Sequence, residues 1–511
     1  MFSKVVSYGL VGIEASPIEI EVDVRQGLPS VNFVGLPDQA TKESKDRIKC
    51  AVNNSGYQYP PDRITVNLAP ADIPKNGPAF DLAIALGLLA SSSQINKELL
   101  NDFVCLGELA LDGTIRPIKG SLPIALAMRS DKNVPKKLLL PQQNAPEAGI
   151  IKEIEVYGVK SLKETIHFLS EQNSIAPAKI NIQEAMRDSI YPFDFHEVKG
   201  QNLAKRALEI AVAGSHNVLM IGPPGSGKTM LAKRIPSILP DITLEEAIET
   251  TRIHSSLGVV PEKLGLITTR PFYAPHHTIS DVAMVGGSQI PQPGEISLAH
   301  NGVLFLDELP EFRRNVLEAL RQPLEEGKIK ISRINKSLSF PAKFMLICAM
   351  NPCPCGYYTD PTKQCRCNTT KIERYLSKIS GPLLDRIDIH IEVPAIKYKE
   401  LTAQDIPEAS CAIKERVAKA RDIQLIRLKS EGIFANAQMS HKHIKKYCAL
   451  TQDGQDLLKA AIEELGFSAR AYDKILKVSR TIADLANSTT ILPEHLSEAI
   501  QYRNLDRQLW A

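Results

Sequence analysis

The 511 residues of this chain are too many for one hydrophobic core, and they predict roughly two to four domains. Hydrophobic residues contribute 43% and charged residues 23%, a balance that excludes a disordered or fibrous protein. Because the formal net charge is only +3, any contact with a polyanion requires local basic patches.

The N-terminal segment, residues 1–22, alternates apolar and polar side chains and includes Glu14, Glu19 and Glu21. This alternation is typical of a strand and differs from the continuous apolar run of a signal peptide. The longest apolar run, near Leu82–Ala90, is about half of what a bilayer requires. We therefore expect a cytoplasmic protein without a membrane partner, whose nine cysteines are reduced thiols or metal ligands.

The first part of the chain, residues 1–170, mixes short strands with a few helices. We expect a β-branched strand at Ile64–Leu68, a buried helix at Phe80–Ala90 and part of a helix at Ile124–Arg129. Residues 171–195 lose apolar periodicity and gain polar and proline residues, which predicts a linker.

Strand and helix patterns alternate over residues 196–394, which predicts a parallel sheet covered by helices on both faces. Residues 395–511 are helical in pattern, with amphipathic stretches at Ala412–Leu428, Asp453–Glu464 and Ala469–Ala486.

A phosphate-binding loop of the G-x-x-x-x-G-K-[ST] pattern follows the apolar strand Asn217–Ile221 and opens a helix that ends near Leu239. Backbone N–H groups of such a loop surround the phosphates of ATP, Lys228 reaches the β and γ phosphates, and Thr229 holds Mg²⁺. The loop consists of Gly222, Pro223, Pro224, Gly225, Ser226, Gly227, Lys228 and Thr229.

Two carboxylates follow the apolar strand Val303–Leu306. We expect Asp307 to hold Mg²⁺ through water and Glu308 to polarise the attacking water. The next apolar strand, Phe344–Met350, ends in Asn351, whose amide would orient that water, an ordinary Asn-Pro turn being the alternative.

Four cysteines lie within a loop at 353–367. Four thiols so close together in a reduced protein suit one tetrahedral Zn²⁺, although the C-x-C spacing is tighter than usual. An iron–sulfur cluster and four unligated cysteines remain alternatives. The loop cysteines are Cys353, Cys355, Cys365 and Cys367, and the core is expected to contain others such as Cys50, Cys105 and Cys348.

Basic residues suited to DNA phosphates occur at two places, a hairpin predicted between Gly327 and Phe344 and the cysteine loop. A solvated hairpin is the alternative, and the basic face of the helix near Ala412–Leu428 is open to the same two interpretations. His276 and His277 fit a nucleic-acid contact, a metal ligand or an ordinary loop. The candidate DNA contacts are Lys328, Lys330, Arg333, Lys336, Lys363 and Arg366.

Several long motifs resemble the magnesium-chelatase-like AAA+ family, and in particular its bacterial YifB/ComM branch, over essentially the whole chain. They are Gly200-Gln201, the phosphate loop, Pro275–Asp281, Pro293–Phe312, Ala349–Gly356 and Gly381–Pro394. The resemblance implies that Arg386 is an arginine finger that reaches a neighbouring subunit's nucleotide. It also implies that Arg470 is the lid arginine that senses the γ-phosphate, and that the chain forms a homo-hexamer.

Two N-terminal segments, Pro74–Ala90 and Gly107–Met128, resemble the proteolytic domain of the Lon family, which has the ribosomal-S5-like fold. The serine nucleophile of that family falls on Ala79 here, and its lysine base falls near Leu122, so no peptidase is expected.

The sequence therefore predicts an α/β protein in four parts: a Lon-protease-like α+β domain at 1–170, a linker at 171–195, an AAA+ core at 196–394 and a helical lid at 395–511. The resemblance implies a hexameric ATPase that moves single-stranded or branched DNA, as a branch-migration helicase does when transforming DNA is integrated. A metal-insertion ATPase subunit and a nucleotide-gated scaffold are the alternatives. No porphyrin partner is expected, because a chelatase subunit is not expected to carry the Lon-like domain or the cysteine loop.

Overall fold

The computed structural model divides the chain into two compact units, which are described separately. The first unit comprises Met1–Ser189, Leu244–Thr268 and Gly287–Pro293, and the second comprises Ile190–Thr243, Thr269–Gly286 and Gly294–Ala511. The structure describes residues 1–75, 77–187, 191–261, 264–287, 291–333, 336–358, 360, 363–395, 407–465, 467–503 and 505.

The first unit is built on a seven-stranded mixed sheet in the order β3-β4-β2-β1-β5-β8-β9, and β6 and β7 pair separately. Its strands are β1 (Phe2–Val11), β2 (Glu14–Arg25), β3 (Ser30–Val34), β4 (Arg63–Ala69), β5 (Phe103–Cys105), β6 (Glu108–Leu109), β7 (Ile115–Arg116), β8 (Lys137–Pro141) and β9 (Glu155–Val159). Its helices are α1 (Gln39–Asn54), α2 (Asp81–Ser91), α3 (Ser121–Ser130), α4 (Ala145–Ala148), α5 (Leu162–Leu169), α6 (Ile182–Arg187) and α9 (Leu244–Leu257).

Helix α2 is the centre of this unit's core, and every one of its residues is buried. The alternation of residues 1–22 produces two antiparallel strands, β1 and β2, whose inward side chains pack on α2. The predicted strand at Ile64–Leu68 and the predicted helices at Phe80–Ala90 and Ile124–Arg129 are confirmed. The expectation that Cys50 lies in the core is wrong, because its side chain is exposed on α1.

Helix α9 belongs to this first unit although it follows the phosphate loop in the sequence. The Arg252 side chain donates to the Ile13 carbonyl at 3.0 Å, and the Gly120 N–H donates to the Ser255 carbonyl at 2.9 Å. The segment 244–268 is thus an insertion that packs on the N-terminal fold.

The second unit contains a five-stranded parallel sheet in the order β11-β12-β15-β10-β16 and a separate antiparallel hairpin, β13-β14. Its strands are β10 (Val218–Ile221), β11 (Phe272–Tyr273), β12 (Val303–Leu306), β13 (Lys328–Arg333), β14 (Lys336–Pro341), β15 (Met345–Met350) and β16 (Ile389–Glu392). Its helices are α7 (Asn202–Gly214), α8 (Lys228–Arg234), α10 (Asp281–Val285), α11 (Glu295–Leu298), α12 (Arg314–Ala319), α13 (Arg321–Glu326), α14 (Thr369–Leu376), α15 (Gly381–Leu384), α16 (Ser410–Leu428), α17 (His441–Tyr447), α18 (Gln452–Leu465), α19 (Ala469–Leu485) and α20 (Pro493–Gln501).

The parallel sheet of the second unit is covered on both faces, as its continuous apolar strands predict. Along β10, Val218 and Met220 enter one hydrophobic cluster, whereas Leu219 and Ile221 enter another on the opposite face. Helices α16 to α20 form the helical C-terminal part. No helix among the described residues combines the length and apolarity required to cross a membrane.

Candidate functional site

The carboxyl ends of three neighbouring strands bring the predicted ATP-site residues to one edge of the sheet. Lys228 follows β10 through the phosphate loop, Asp307 and Glu308 follow β12, and Asn351 follows β15, which lies between the other two strands. Because parallel strands end at a common edge, these side chains meet although they are far apart in the sequence.

The phosphate loop is held against the sheet by close backbone packing. A Cβ atom on Gly222 would lie 2.1 Å from the Val393 carbonyl oxygen, so only glycine fits there. Gly225 and Gly227 have φ angles of +77° and +90°, in the left-handed region that favours glycine. The Gln201 amide donates to the Ser226 carbonyl at 3.3 Å, which joins the loop to the segment before α7, and to the Pro394 carbonyl at 2.7 Å.

The Lys228 ammonium is buried where the phosphates of a nucleotide are expected. It donates to the Gly222 and Pro223 carbonyls at 2.8 and 2.9 Å, and to Asn351 Oδ1 at 3.3 Å. Burial lowers the pKa of Lys228 to about 8, and the Asp307 carboxylate opposes that shift. Lys228 and Asn351 therefore meet in one hydrogen-bonded group, as the sequence pattern predicts.

The predicted magnesium ligands also meet. Thr229 Oγ1 donates to Asp307 Oδ2 at 2.7 Å, so a hydroxyl and a carboxylate oxygen lie side by side beside the Lys228 ammonium. This pair of oxygen donors suits Mg²⁺, which binds few protein groups and completes its shell with water and phosphate oxygens.

The Glu308 carboxylate is paired with a histidine that sequence reasoning did not assign to the site. Glu308 has a left-handed backbone with φ +52°, and its Oε2 lies 3.3 Å from His277 Nδ1. His277 lies in the loop between β11 and α10, and its ring packs edge-on to Phe312. Since β11 is the neighbour of β12, the strand order brings this loop to the acidic residues.

Both candidate arginines lie at the opposite edge of the sheet from the phosphate loop of their own chain. Arg386 precedes the amino end of β16 and pairs with Glu325, and Arg470 Nη1 lies 3.0 Å from Asp385 Oδ2. Because β16 and β10 are parallel, this amino-terminal edge is separated from Lys228 by the length of the strands. Neither arginine is positioned to contact the nucleotide of its own chain.

The four loop cysteines converge as a metal site requires. The sulfur atoms of all four lie within 4.8 Å of one another, and those of Cys353, Cys355 and Cys365 are 3.4 to 3.7 Å apart. Sulfurs bound to one tetrahedral Zn²⁺ at about 2.3 Å would be about 3.8 Å apart. An iron–sulfur cluster needs wider spacing, because its own iron and sulfide atoms lie between the thiolates. Backbone N–H groups of Arg366 and Tyr357 lower the pKa of the Cys355 thiol.

The predicted hairpin is present, and its register puts basic side chains on one exposed face. Lys328 and Lys330 are exposed on β13, whereas Ile329 between them is buried. Ser339, which pairs with Lys330, is exposed on the same face. The Lys330 ammonium lies 3.5 Å from a Glu326 carboxylate oxygen. The side chains of Arg333 and Lys336 lie outside the described residues.

The remaining basic candidates differ in their surroundings. Lys363 and Arg366 are exposed on the cysteine loop, and the Lys363 ammonium lies over the Tyr357 ring. The buried stripe predicted for α16 is present, and three of the basic residues around it form ion pairs within the unit. Arg416 binds Glu209 and Glu408, Arg427 binds Asp484 and Lys414 binds Asp241, so these three side chains already have acidic partners.

These features define a P-loop ATPase of the AAA+ class, which binds ATP and Mg²⁺. They are the strand order, the phosphate loop after β10, the acidic pair after β12 and the polar residue after β15, the strand between them. Comparison with known proteins gives the family. The profile described as magnesium chelatase, subunit ChlI, matches residues 194–401, and those of subunit ChlI of Mg-chelatase and of its C-terminal region match residues 20–144 and 407–503. The chain belongs to the magnesium-chelatase-like AAA+ family, in the branch that contains YifB and ComM.

Three relatives illustrate the extent of the similarity. Competence protein ComM of Haemophilus influenzae is 45% identical over 99% of this chain and 98% of its own length. The uncharacterized protein YifB of Escherichia coli is 42% identical over 98% of this chain and 96% of its own. Lon protease 2 of Bacillus subtilis is 27% identical over 29% of this chain and 28% of its own length, in keeping with the Lon-like N-terminal fold.

Proposed function

We propose that copies of this chain form a hexameric ring that hydrolyses ATP between neighbours and uses the energy to move DNA. The expected task is branch migration during integration of transforming DNA, and the similarity to a competence protein supports it. The main support for the ring is the position of Arg386, which lies at the amino ends of the strands, whereas its own phosphate loop lies at their carboxyl ends. Such an arginine is useful to hydrolysis only when a second copy supplies the nucleotide.

The roles of the site residues follow from their positions. Mg²⁺ supplies charge compensation for the phosphate oxygens, and Thr229 with Asp307 would hold it. Lys228 exchanges its carbonyl partners for phosphate oxygens, Asn351 orients the attacking water and Glu308 accepts its proton.

The exposed hairpin face supports the DNA part of the proposal. Lys328, Lys330 and Ser339 present ammonium and hydroxyl donors side by side, which suits a phosphate backbone without reading its sequence. In a ring, six such hairpins would line a central channel, with Lys363 and Arg366 as further basic contacts.

Zn²⁺ is the metal that we propose for the cysteine loop, because four sulfur donors at tetrahedral spacing favour it. Elemental analysis of the purified chain is expected to find about one zinc per chain, lost in Cys353→Ser. Metal-free wild-type protein would exclude the site.

The test of the motor compares wild type with Lys228→Ala on a synthetic Holliday junction. We expect ATP hydrolysis to fall by roughly 10²- to 10³-fold and junction movement to stop, because the phosphates lose their buried cation. Equal junction movement by the two proteins would refute the motor, and hydrolysis stimulated by a porphyrin rather than by DNA would favour the chelatase alternative.

A further inference from the structure

The cysteine loop touches the nucleotide site at its start, its middle and its end. At its start, Asn351 accepts a hydrogen bond from Lys228 Nζ at 3.3 Å, and Cys353 follows two residues later. Cys353 is fully buried in the hydrophobic cluster that covers this face of the sheet. The position of the first cysteine therefore affects the position of the Asn351 amide.

The middle of the loop lies against the phosphate loop itself. Gly356 has φ +84°, and a Cβ atom there would lie 2.4 Å from Cδ of Pro224. The Gly356 N–H donates to the Cys353 carbonyl at 3.0 Å, which closes a turn around Cys355. The turn that contains the first two cysteines thus packs on Pro224 with no space for an added methyl group.

The end of the loop returns to the same point. Cys367 is followed by Asn368, which caps α14 by accepting from the Lys371 N–H at 3.0 Å. Two turns along that helix, burial raises the pKa of the Tyr375 hydroxyl, and the backbone of Asn351 lies close enough to oppose that rise. Asn351 and Tyr375, which stand before and after the loop, therefore lie close together. One cysteine pair, Cys353 and Cys355, follows Asn351, and the other, Cys365 and Cys367, precedes α14.

We infer that the metal joining Cys353 and Cys355 to Cys365 and Cys367 braces the ATP site, so that loss of the metal weakens nucleotide binding directly. Across the two pairs, the Cys365 sulfur lies 3.7 Å from that of Cys353 and 3.6 Å from that of Cys355, contacts far weaker than metal–sulfur bonds. One ion would replace them by four bonds and link the two ends of the loop. Asn351 and Pro224 are then held where Lys228 requires them.

The inference rests on the proposed zinc site and on the ATP site, but not on DNA movement. The test measures the Kd of the full chain for a fluorescent ATP analogue with Mg²⁺ and without DNA, so failure of the motor proposal leaves its result unchanged. Chelator-stripped wild type is expected to bind the analogue roughly tenfold more weakly, the factor for one lost charge-assisted hydrogen bond, and re-added Zn²⁺ is expected to restore binding.

Two variants separate the brace from general unfolding. Gly356→Ala keeps all four thiols but pushes the turn away from Pro224, so zinc content should stay at that of wild type while the Kd rises roughly tenfold. Cys365→Ser should lose zinc and show the same weakening. Cys411→Ser is the matched control, because Cys411 is an exposed thiol on α16 outside the loop.

Three results would contradict the inference that the metal braces the ATP site. Equal affinity of stripped and zinc-loaded protein, at unchanged circular dichroism, contradicts the brace. If removal of the metal unfolds the chain, the affinity of Gly356→Ala for the ATP analogue is the test. A wild-type affinity in this variant would show that the contact with Pro224 does not influence nucleotide binding. Protein that is metal-free as purified yet binds the analogue tightly also overturns the inference.

Discussion

His277 Nδ1 lies 3.3 Å from Glu308 Oε2, so the carboxylate expected to activate water is held by a side chain from the neighbouring strand's loop. The pair is partly exposed, with 30% and 55% of the two side chains accessible. A pair so exposed contributes little to stability, but it is strong enough to bias the direction in which the carboxylate points.

We predict that His277→Ala raises ATP hydrolysis in the absence of DNA by about two- to fivefold, because the carboxylate is released from a partly exposed contact that contributes up to about 1 kcal/mol. His276→Ala is the control, because His276 Nδ1 lies 3.0 Å from Thr278 Oγ1 rather than beside the acid. Steady-state hydrolysis without DNA checks the prediction. A loss of activity as large as that of Glu308→Gln would instead make His277 part of the catalytic group.

The lowered pKa of Lys228 predicts a pH dependence of nucleotide binding. Burial lowers that pKa to about 8 in the empty site, and the triphosphate favours the charged ammonium, so the pKa rises on binding. Above pH 8 the bound state therefore holds more protons than the free state, and affinity must fall as pH rises. Calorimetry in buffers of different ionisation enthalpy should detect proton uptake near pH 8.5 and little at pH 6.5. Proton release on binding at pH 8.5 would contradict the assignment.

The hairpin face predicts a salt-dependent DNA contact. Lys330→Ala should weaken binding of single-stranded DNA and reduce the slope of log Kd against log salt concentration by about 0.7, the value for one phosphate contact. The partner Glu326 is no obstacle, because an exposed pair at 3.5 Å is weak. Lys459→Ala, an exposed lysine on α18, should leave the slope unchanged. Equal slopes for the two variants would remove the hairpin from the DNA interface.

Local patterns predicted the elements of the ATP site because its strands are short, fully apolar runs that are followed directly by the phosphate loop or by a polar residue. Val303–Leu306 and the strand that ends at Met350 were found in this way. Cys50 was predicted wrongly, although the helical period that buries Ile48 and Val52 on α1 points its side chain outward.

The sequence alone could not predict which distant segments of the chain contact one another. The pattern of Leu244–Leu257 indicates a helix, but nothing in it shows that the helix packs on the N-terminal fold. The same holds for His277 and for Tyr375, whose partners depend on strand order and on the path of the cysteine loop. Spacing showed that four cysteines were near one another in the chain, but not that Gly356 packs on Pro224.

A buried ion pair joins helix α19 to the sheet and predicts a large effect on stability. Lys474 Nζ lies 2.8 Å from Asp388 Oδ1, with 13% and 11% of the side chains accessible. Burial alone would raise the pKa of Asp388, but the Lys474 ammonium and His216 hold it far below its usual value. Lys474→Met leaves this carboxylate without its cation and should destabilise the region by about 3–5 kcal/mol.

Native-state hydrogen exchange of the α19 amides measures that loss. The double variant Lys474→Met/Asp388→Asn should recover much of it, because the buried charge is removed together with its partner. Lys442→Met changes an exposed lysine on α17 and is expected to have no effect. Unchanged exchange in Lys474→Met would mean that the carboxylate finds another cation.

The position of Arg386 predicts complementation between inactive subunits. Arg386→Ala should lower hydrolysis by roughly 10³-fold or more, as expected for a finger that stabilises charge in the transition state, and Lys228→Ala should lower it by roughly 10²- to 10³-fold for a separate reason. In the proposed ring, two neighbouring subunits share each ATP site, and the two variants remove residues that different subunits contribute to it. Ring contacts of this head-to-tail kind are all equivalent, so a one-to-one mixture leaves about a quarter of the sites with both residues intact.

We therefore expect the mixture to regain hydrolysis that neither variant shows alone, at up to about a quarter of the wild-type rate. Arg470→Ala in place of Arg386→Ala should complement Lys228→Ala in the same way, because Arg470 lies beside Asp385 at the same edge of the sheet. If Arg386→Ala alone hydrolyses ATP at the wild-type rate, or if the mixture stays inactive while the two variants co-assemble by sedimentation, the site is contained within one chain and the ring has no part in hydrolysis.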